Sequence, residues 1–243
     1  VDYMNRAKFF NAIRGPMGPL ASETVAGIEA LLDAGSALDL HHMANVLAQV
    51  RRETGGGMAP IKETVMPWHK NKNPSDATVI GRLDRAFAKG QLKWVKTPYW
   101  RGGAFGRGQI QATHDYNYSK FGITNYSDAL KLDVSARIAV EGMRDGKFTG
   151  RKLSDYVFPR AIHNPPEINP RRIVNGKDGS DKEVAASHEM FAGALFDAGW
   201  DAASPAPLPM ALPKGGINAT PATSAPTPSF WAQFITAIFG RRK

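Results

Sequence analysis

The sequence predicts a mainly α-helical domain, followed by a linker and a short amphipathic tail. Three observations predict it. In six segments before Trp200, apolar residues recur at steps of three and four, the spacing that lines one face of a helix. Only one segment, residues 92–95, has the character of a short strand. After Trp200 the composition changes: residues 202–229 are rich in Pro, Ala, Ser and Thr, as in an extended, disordered linker, and residues 230–243 turn apolar again. The expected organisation is therefore a helical domain over 1–201, a linker over 202–229 and a tail over 230–243. A composition of 42% hydrophobic and 22% charged residues suits a domain with a real core.

The elements follow in order. Residues 5–14 predict a first helix with Phe9, Phe10 and Ile13 inward, stopped by Gly15-Pro16. Residues 22–33 predict a second, capped by Ser22, with Val25, Ile28, Leu31 and Leu32 on its apolar face. The third covers 38–53, its buried stripe being Leu40, Met43, Leu47 and Val50. Residues 74–89 form another, with Pro74 at its start and Gly90 at its end. Four glycines between Gly102 and Gly108 then argue against regular structure, and no Gly-Lys-Ser/Thr follows to make a P-loop. Residues 133–145 turn Val134 and Ile138 inward. Residues 181–198 form the last long helix, with Val184, His188, Phe191, Leu195 and Phe196 toward the core.

Charge and composition narrow the partners. A formal charge of +9 favours an anionic one: nucleic acid, a membrane surface or an acidic polymer. With no cysteine there is no disulfide framework and no thiolate chemistry. No His-Glu-x-x-His, paired histidine or Gly-x-Ser-x-Gly occurs, so no metal and no cofactor is expected. No apolar run has the length of a signal peptide core or a spanning helix, so the expectation is a product made in the cytoplasm.

The chemistry concentrates in residues 46–64. Glu53 closes the third helix and Glu63 lies ten residues on, beyond Gly55, Gly56 and Gly57. One unbroken helix would hold the two carboxylates roughly 15 Å apart. Three glycines let the chain fold back, toward the roughly 6.5–9.5 Å that suits an acid and a base flanking a glycosidic bond and a water. Glu53 sits on the shoulder of a buried stripe at a helix C-terminus, and both conditions disfavour its ionised form. The common alternative for such a glutamate is a solvated surface position. Around the later glycine run stand Tyr99, Trp100, Phe105, Tyr116 and Tyr118. Sugars stack on aromatic rings and bond to amides, so Trp100, Gln109, Gln111 and Asn117 suit a carbohydrate groove. Ordinary core packing is the competing role for each ring.

Over residues 5–200 these motifs resemble the family 19 glycoside hydrolases, the plant-type chitinases and, more closely, endolysins of phages of Gram-negative bacteria. The family's His-Glu-Thr-Gly is matched by Arg52-Glu53-Thr54-Gly55, with arginine in place of histidine. Its second glutamate is matched by Glu63. Its Gly-Arg-Gly-x-Ile-Gln run is matched by FGRGQIQATHDYNY, and its late Asn-Gly element by RRIVNG. The resemblance implies a lysozyme-like α+β fold with a small β element near the cleft, and inverting hydrolysis without a cofactor. Glu53 would be the acid and Glu63 the base, with Thr113 holding the water. Gln111 and Asn117 would contact substrate, and Asn175 would lie in the cleft. The expected activity is that of a monomeric endolysin cutting peptidoglycan in the cell wall after release, with a chitinase as the alternative. A basic membrane- or nucleic-acid-binding module is the reading from another class. Scattered charges without a zinc finger or RNP run disfavour nucleic acid.

In the tail, Phe230, Trp231, Phe234, Ile235, Ile238 and Phe239 would share one helix face, followed by Arg241, Arg242 and Lys243. Residues 230–243 as a helix reach only about 21 Å against a hydrocarbon core of about 30 Å. The tail is expected to lie in an anionic membrane or lipopolysaccharide interface. The alternative is that it packs on the domain.

Overall fold

The computed structural model describes residues 4–63, 73–93 and 95–200. The linker and tail expected from the sequence lie outside the described residues. The fold is mainly helical, with one two-stranded sheet.

Helix α1 (Arg6–Met17) is capped by Asn5, whose side chain accepts from the Lys8 N–H. It runs through Gly15-Pro16, where the sequence predicted a stop. Proline costs a helix one N–H but its own φ is helical, and near the end of a helix that loss is tolerated. The stop comes at Gly18, with φ 77°. Helix α2 (Ser22–Ala34) begins one residue earlier than a Ser22 cap would have it: Ala21 is the cap and offers no side chain.

Helix α3 (Leu40–Glu53) is the centre of the fold. Asp39 caps it, and every residue from Met43 to Val50 is buried. It packs along α7 (Asp181–Asp197) and also touches α2 and α6 (Leu132–Arg144). Phe9, Ile13, Ile28, Leu31, Leu47 and Phe191 belong to this main core. Phe196, expected inward, is 75% exposed: it follows Leu195 around the helix and falls on the solvent side. Helix α4 (Asp76–Ala88), capped by Ser75, builds a second, smaller core from Val79, Leu83, Leu92, Trp100 and Phe105. A short helix, α5 (Asp115–Ser119), follows the glycine-rich loop.

The β element is not where the sequence placed it. Of residues 92–95, the three described form no strand, and the Val95 N–H turns back to the Leu92 carbonyl. The sheet pairs β1 (Ile61–Lys62) with β2 (Arg107–Gly108), antiparallel, Ile61 opposite Gly108 and Lys62 opposite Arg107. Thus β2 lies inside the glycine run that seemed to exclude regular structure.

His188 on α7 is fully buried against Phe158, with its Nε2 3.3 Å from Nδ1 of His41 on α3. Burial, with His41 and His163 nearby and Asp39 opposing, holds its pKa down to about 3. An unfolded histidine titrates near 6.5, so the unfolded chain binds the extra proton and stability falls as pH drops from about 6.5 toward 3. By pH 4 this one group should cost about 3 kcal/mol. In His188→Leu that loss is removed, so on acidification from pH 7 to pH 4 the calorimetric melting temperature of the variant should fall less than that of wild type. An unchanged gap between pH 7 and pH 4 would show that His188 does not set the acid limit.

Candidate active site

Glu53 is the last residue of α3, and the helix ends there for a local reason. Gly55 and Gly56 take φ of 59° and 88°, conformations closed to most side chains. The Gly56 N–H returns to the Arg51 carbonyl. The Thr54 hydroxyl donates to the Val50 carbonyl and accepts from the Met58 N–H. The fold-back is then stapled to α2. Gln109 donates through Nε2 to the carbonyls of Gly27 and Met58, at 2.9 and 2.6 Å. A Cβ at Gly27 would stand 2.3 Å from the Met58 carbonyl oxygen, so only glycine permits this approach. The chain leaves the turn through β1 and reaches Glu63.

Glu53 is buried, and its Oε1 lies 2.5 Å from Nη2 of Arg171. Arg171 is itself buried, on a 3-10 helix at Pro170–Ile173 whose cap, Asn169, accepts from the Arg171 N–H. Its other donors reach Gln49 Oε1 at 2.7 Å and Asp178 Oδ2 at 2.8 Å. Asp178 is further held by the N–H and hydroxyl of Ser180. One guanidinium therefore serves two carboxyls. Despite its own burial, Asp178 is held below the usual carboxylate range by the charge and hydrogen bonds of Arg171 and by Ser180. Glu53 is pushed above that range by burial, against the pull of Arg171. The Arg171–Asp178 pair is already neutral, so Glu53 is the carboxyl that keeps a proton at least cost.

Glu63 has a different environment. It is fully buried, and Oε1 accepts from the Tyr99 hydroxyl at 2.7 Å. Its Oε2 accepts from the Gly106 N–H at 2.7 Å, and its own N–H donates to the Gly106 carbonyl. Burial raises its pKa to about 7, against the two hydrogen bonds and the charge of Arg107.

Beside Glu63 lie the residues of the glycine-rich run. Gln111 has φ 54°, a strained value for glutamine, and its Nε2 donates to the Ile61 and Gly108 carbonyls. Its Oε1 is buried with no partner among the described residues. The Thr113 hydroxyl donates to the Gln111 carbonyl, and Asn117 donates to the Thr113 carbonyl. Asn175, 1% exposed, accepts from the Gly176 N–H, and its Nδ2 sits 3.4 Å from Asp178 Oδ2.

Two expected groove residues are corrected. Trp100 has no exposed surface: it packs in the second core and donates through Nε1 to Asp84. It offers no face to a sugar. Gln109 is equally buried and its amide nitrogen is spent on the staple to Gly27 and Met58. Among the described aromatics around this run, Tyr116 is the most exposed, at 61%. It stacks on His114, which leans on Tyr99, so a run of rings leads from the surface to the Glu63 hydrogen bond. The clamp of Arg171, Asp178 and Gln49 on Glu53 has no counterpart among the expectations from sequence. The available signal was physical: a glutamate on a buried stripe needs a cation.

No family model and no curated protein matches this chain. Among solved structures it is similar to chitinase C from Streptomyces griseus HUT6037, with 16% identity over 80% of this chain and 77% of that one, and a TM-score of 0.48. A mutant of the same chitinase C gives 16% identity, the same coverage and a TM-score of 0.49. At that level of likeness, the residues of the site have to carry the functional reading by themselves.

Proposed function

We propose that this chain hydrolyses the β-1,4 glycosidic bonds of peptidoglycan by an inverting acid/base mechanism, as a lysis enzyme. The observation that carries the reading is the pair of buried carboxyls with raised pKa values, joined by a stapled fold-back and held by separate partners. Glu53 gives its proton to the leaving glycosidic oxygen as the bond to the anomeric carbon breaks. Glu63 takes a proton from the water that attacks that carbon from the opposite face. The Thr113 hydroxyl, with lone pairs free of its own donated bond, holds that water. Both carboxyls are covered in this structure, so the mechanism requires that sugar binding open the surface above them. Tyr116 is the exposed ring on which a sugar would stack. The enzyme would be made in the host cytoplasm and reach the wall after release.

The test is product analysis on purified peptidoglycan, with chitin oligosaccharides alongside. Inversion places the new reducing end first in the α configuration, as read by proton NMR. A β product first, or cleavage of chitin alone, overturns the reading.

The pH profile follows from the two carboxyls. Glu63 works ionised, so kcat/KM should rise with pH through about 7. The Tyr99 hydroxyl stabilises the carboxylate, so Tyr99→Phe should move that limb to higher pH. Glu63→Gln should lose most turnover. A folded Glu63→Gln protein with more than about a tenth of wild-type activity makes Glu63 a structural clamp between Tyr99 and Gly106.

The same reading gives the tail a membrane role. Removal of residues 230–243 should leave hydrolysis of purified peptidoglycan and the melting temperature unchanged, and abolish binding to anionic vesicles. A large drop in melting temperature, without vesicle binding by the full chain, would assign the tail to the domain.

A further inference from the structure

On the other side of the element that grips Glu53 lies a groove of about 340 Å³ with no role in the mechanism above. Arg151, Arg160 and Arg172 line it, around the half-buried ring of Tyr156. Among the described residues, the guanidinium groups of Arg151 and Arg160 and the Tyr156 hydroxyl have no hydrogen-bond partner. Arg172 donates once, to the Glu167 carbonyl, which leaves most of its donors unused. The two acids in the groove are already engaged: Asp155 accepts from the Lys152 N–H, and Glu167 pairs with Lys177. Two exposed aliphatic side chains, Val157 at 66% exposure and Ile168 at 53%, also line it.

The three guanidinium groups outnumber the two acids of the lining, and Glu167 is already paired with Lys177, so a net positive charge remains that an anion would offset. Guanidinium forks match carboxylates in particular. The exposed aliphatic residues add an apolar contact, so the complementary ligand carries carboxylates on a short aliphatic frame. Position supplies the link to the substrate. Arg171 and Arg172 are consecutive on one turn of 3-10 helix, the first turned in to Glu53, the second out to the groove.

We propose that this groove binds the carboxylates of the peptide stems that branch from peptidoglycan strands, and so selects stem-bearing glycan over neutral polymers such as chitin. The inference rests on the peptidoglycan reading for its choice of ligand. Its test separates the two. The double variant Arg151→Gln/Arg160→Gln spares Arg172 and the Glu53 clamp. On strands bearing stems, its KM should rise about ten-fold with kcat unchanged, a size fitting two exposed charge pairs. On strands stripped of stems by an amidase, KM should match wild type. Arg151→Lys/Arg160→Lys should recover part of the loss.

A second measurement needs no hydrolysis. Free stem tripeptide, titrated calorimetrically into Glu53→Gln protein, should bind in a salt-sensitive manner, and the added Arg151→Gln/Arg160→Gln change should remove that binding. Inorganic phosphate runs beside it. Stem binding without any peptidoglycan hydrolysis by wild type would sustain the groove and defeat the proposed function. Hydrolysis with equal KM for stem-bearing strands in wild type and double variant would defeat the groove and leave the function standing. Phosphate binding as tightly as the tripeptide would overturn the assignment to stems.

Discussion

Glu53→Gln should leave a folded protein whose turnover on purified peptidoglycan has fallen by about 100- to 10,000-fold. The amide has the shape of the acid, and its oxygen still accepts from Arg171 Nη2, so the clamp to Gln49 and Asp178 survives. The melting temperature should hardly move. What is lost is the proton. A glutamate at this position is buried, is pushed above the usual carboxylate range, and faces a cation already neutralised by Asp178. Those conditions favour the protonated form of the carboxyl, which is the form a general acid needs. Substrate affinity should change little, so the loss should fall on kcat. Wild-type kcat in folded Glu53→Gln would remove Glu53 from the reaction and leave it a structural partner of Arg171.

The helices were legible because their signal is periodic. Residues 38–53 predicted a helix that the structure places at Leu40–Glu53; of the expected stripe, Met43, Leu47 and Val50 are buried, and Leu40, at the start of the helix, is half-buried. The end of α3 at Glu53 was legible for a different reason: three successive glycines after a periodic segment break a helix. The sheet was not legible, since strands of two residues, Ile61–Lys62 and Arg107–Gly108, are too short to show an alternation. Trp100 and Gln109 mark another limit. Residue type says that a ring can stack and an amide can bond; it does not say whether the partner is a sugar, or Asp84 and the Met58 carbonyl. The Arg171 clamp joins residues 118 apart in sequence, and a buried ion pair has no local pattern. Only its necessity, once Glu53 is placed on a buried stripe, was open to deduction.

That necessity makes Arg171→Leu the most destabilising single change to expect at the site. Arg171 and both its acidic partners are almost wholly out of solvent, with side-chain exposures of 1–2%. A leucine of similar girth fills part of the space and leaves Glu53 and Asp178 facing each other without a cation. Breaking a buried pair from one side costs about 3–5 kcal/mol. In a domain of this size that lowers the melting temperature by roughly 10 °C. The pH dependence identifies the cause. In the wild type Asp178 lies below its unfolded pKa, so its contribution is present near neutrality and lost as pH falls. In the variant both carboxyls would be raised above their unfolded values. The folded state would then hold more protons than the unfolded state, and stability would fall as pH rises. The difference between wild type and Arg171→Leu should therefore be widest at pH 7 and narrow toward pH 4, in urea titrations at each pH. Arg171→Lys should recover part of it, since a single ammonium cannot span Gln49, Glu53 and Asp178 as the planar fork does. A loss at pH 7 below about 1 kcal/mol, or one that is the same at pH 4, would mean that the two carboxyls are not held by this cation.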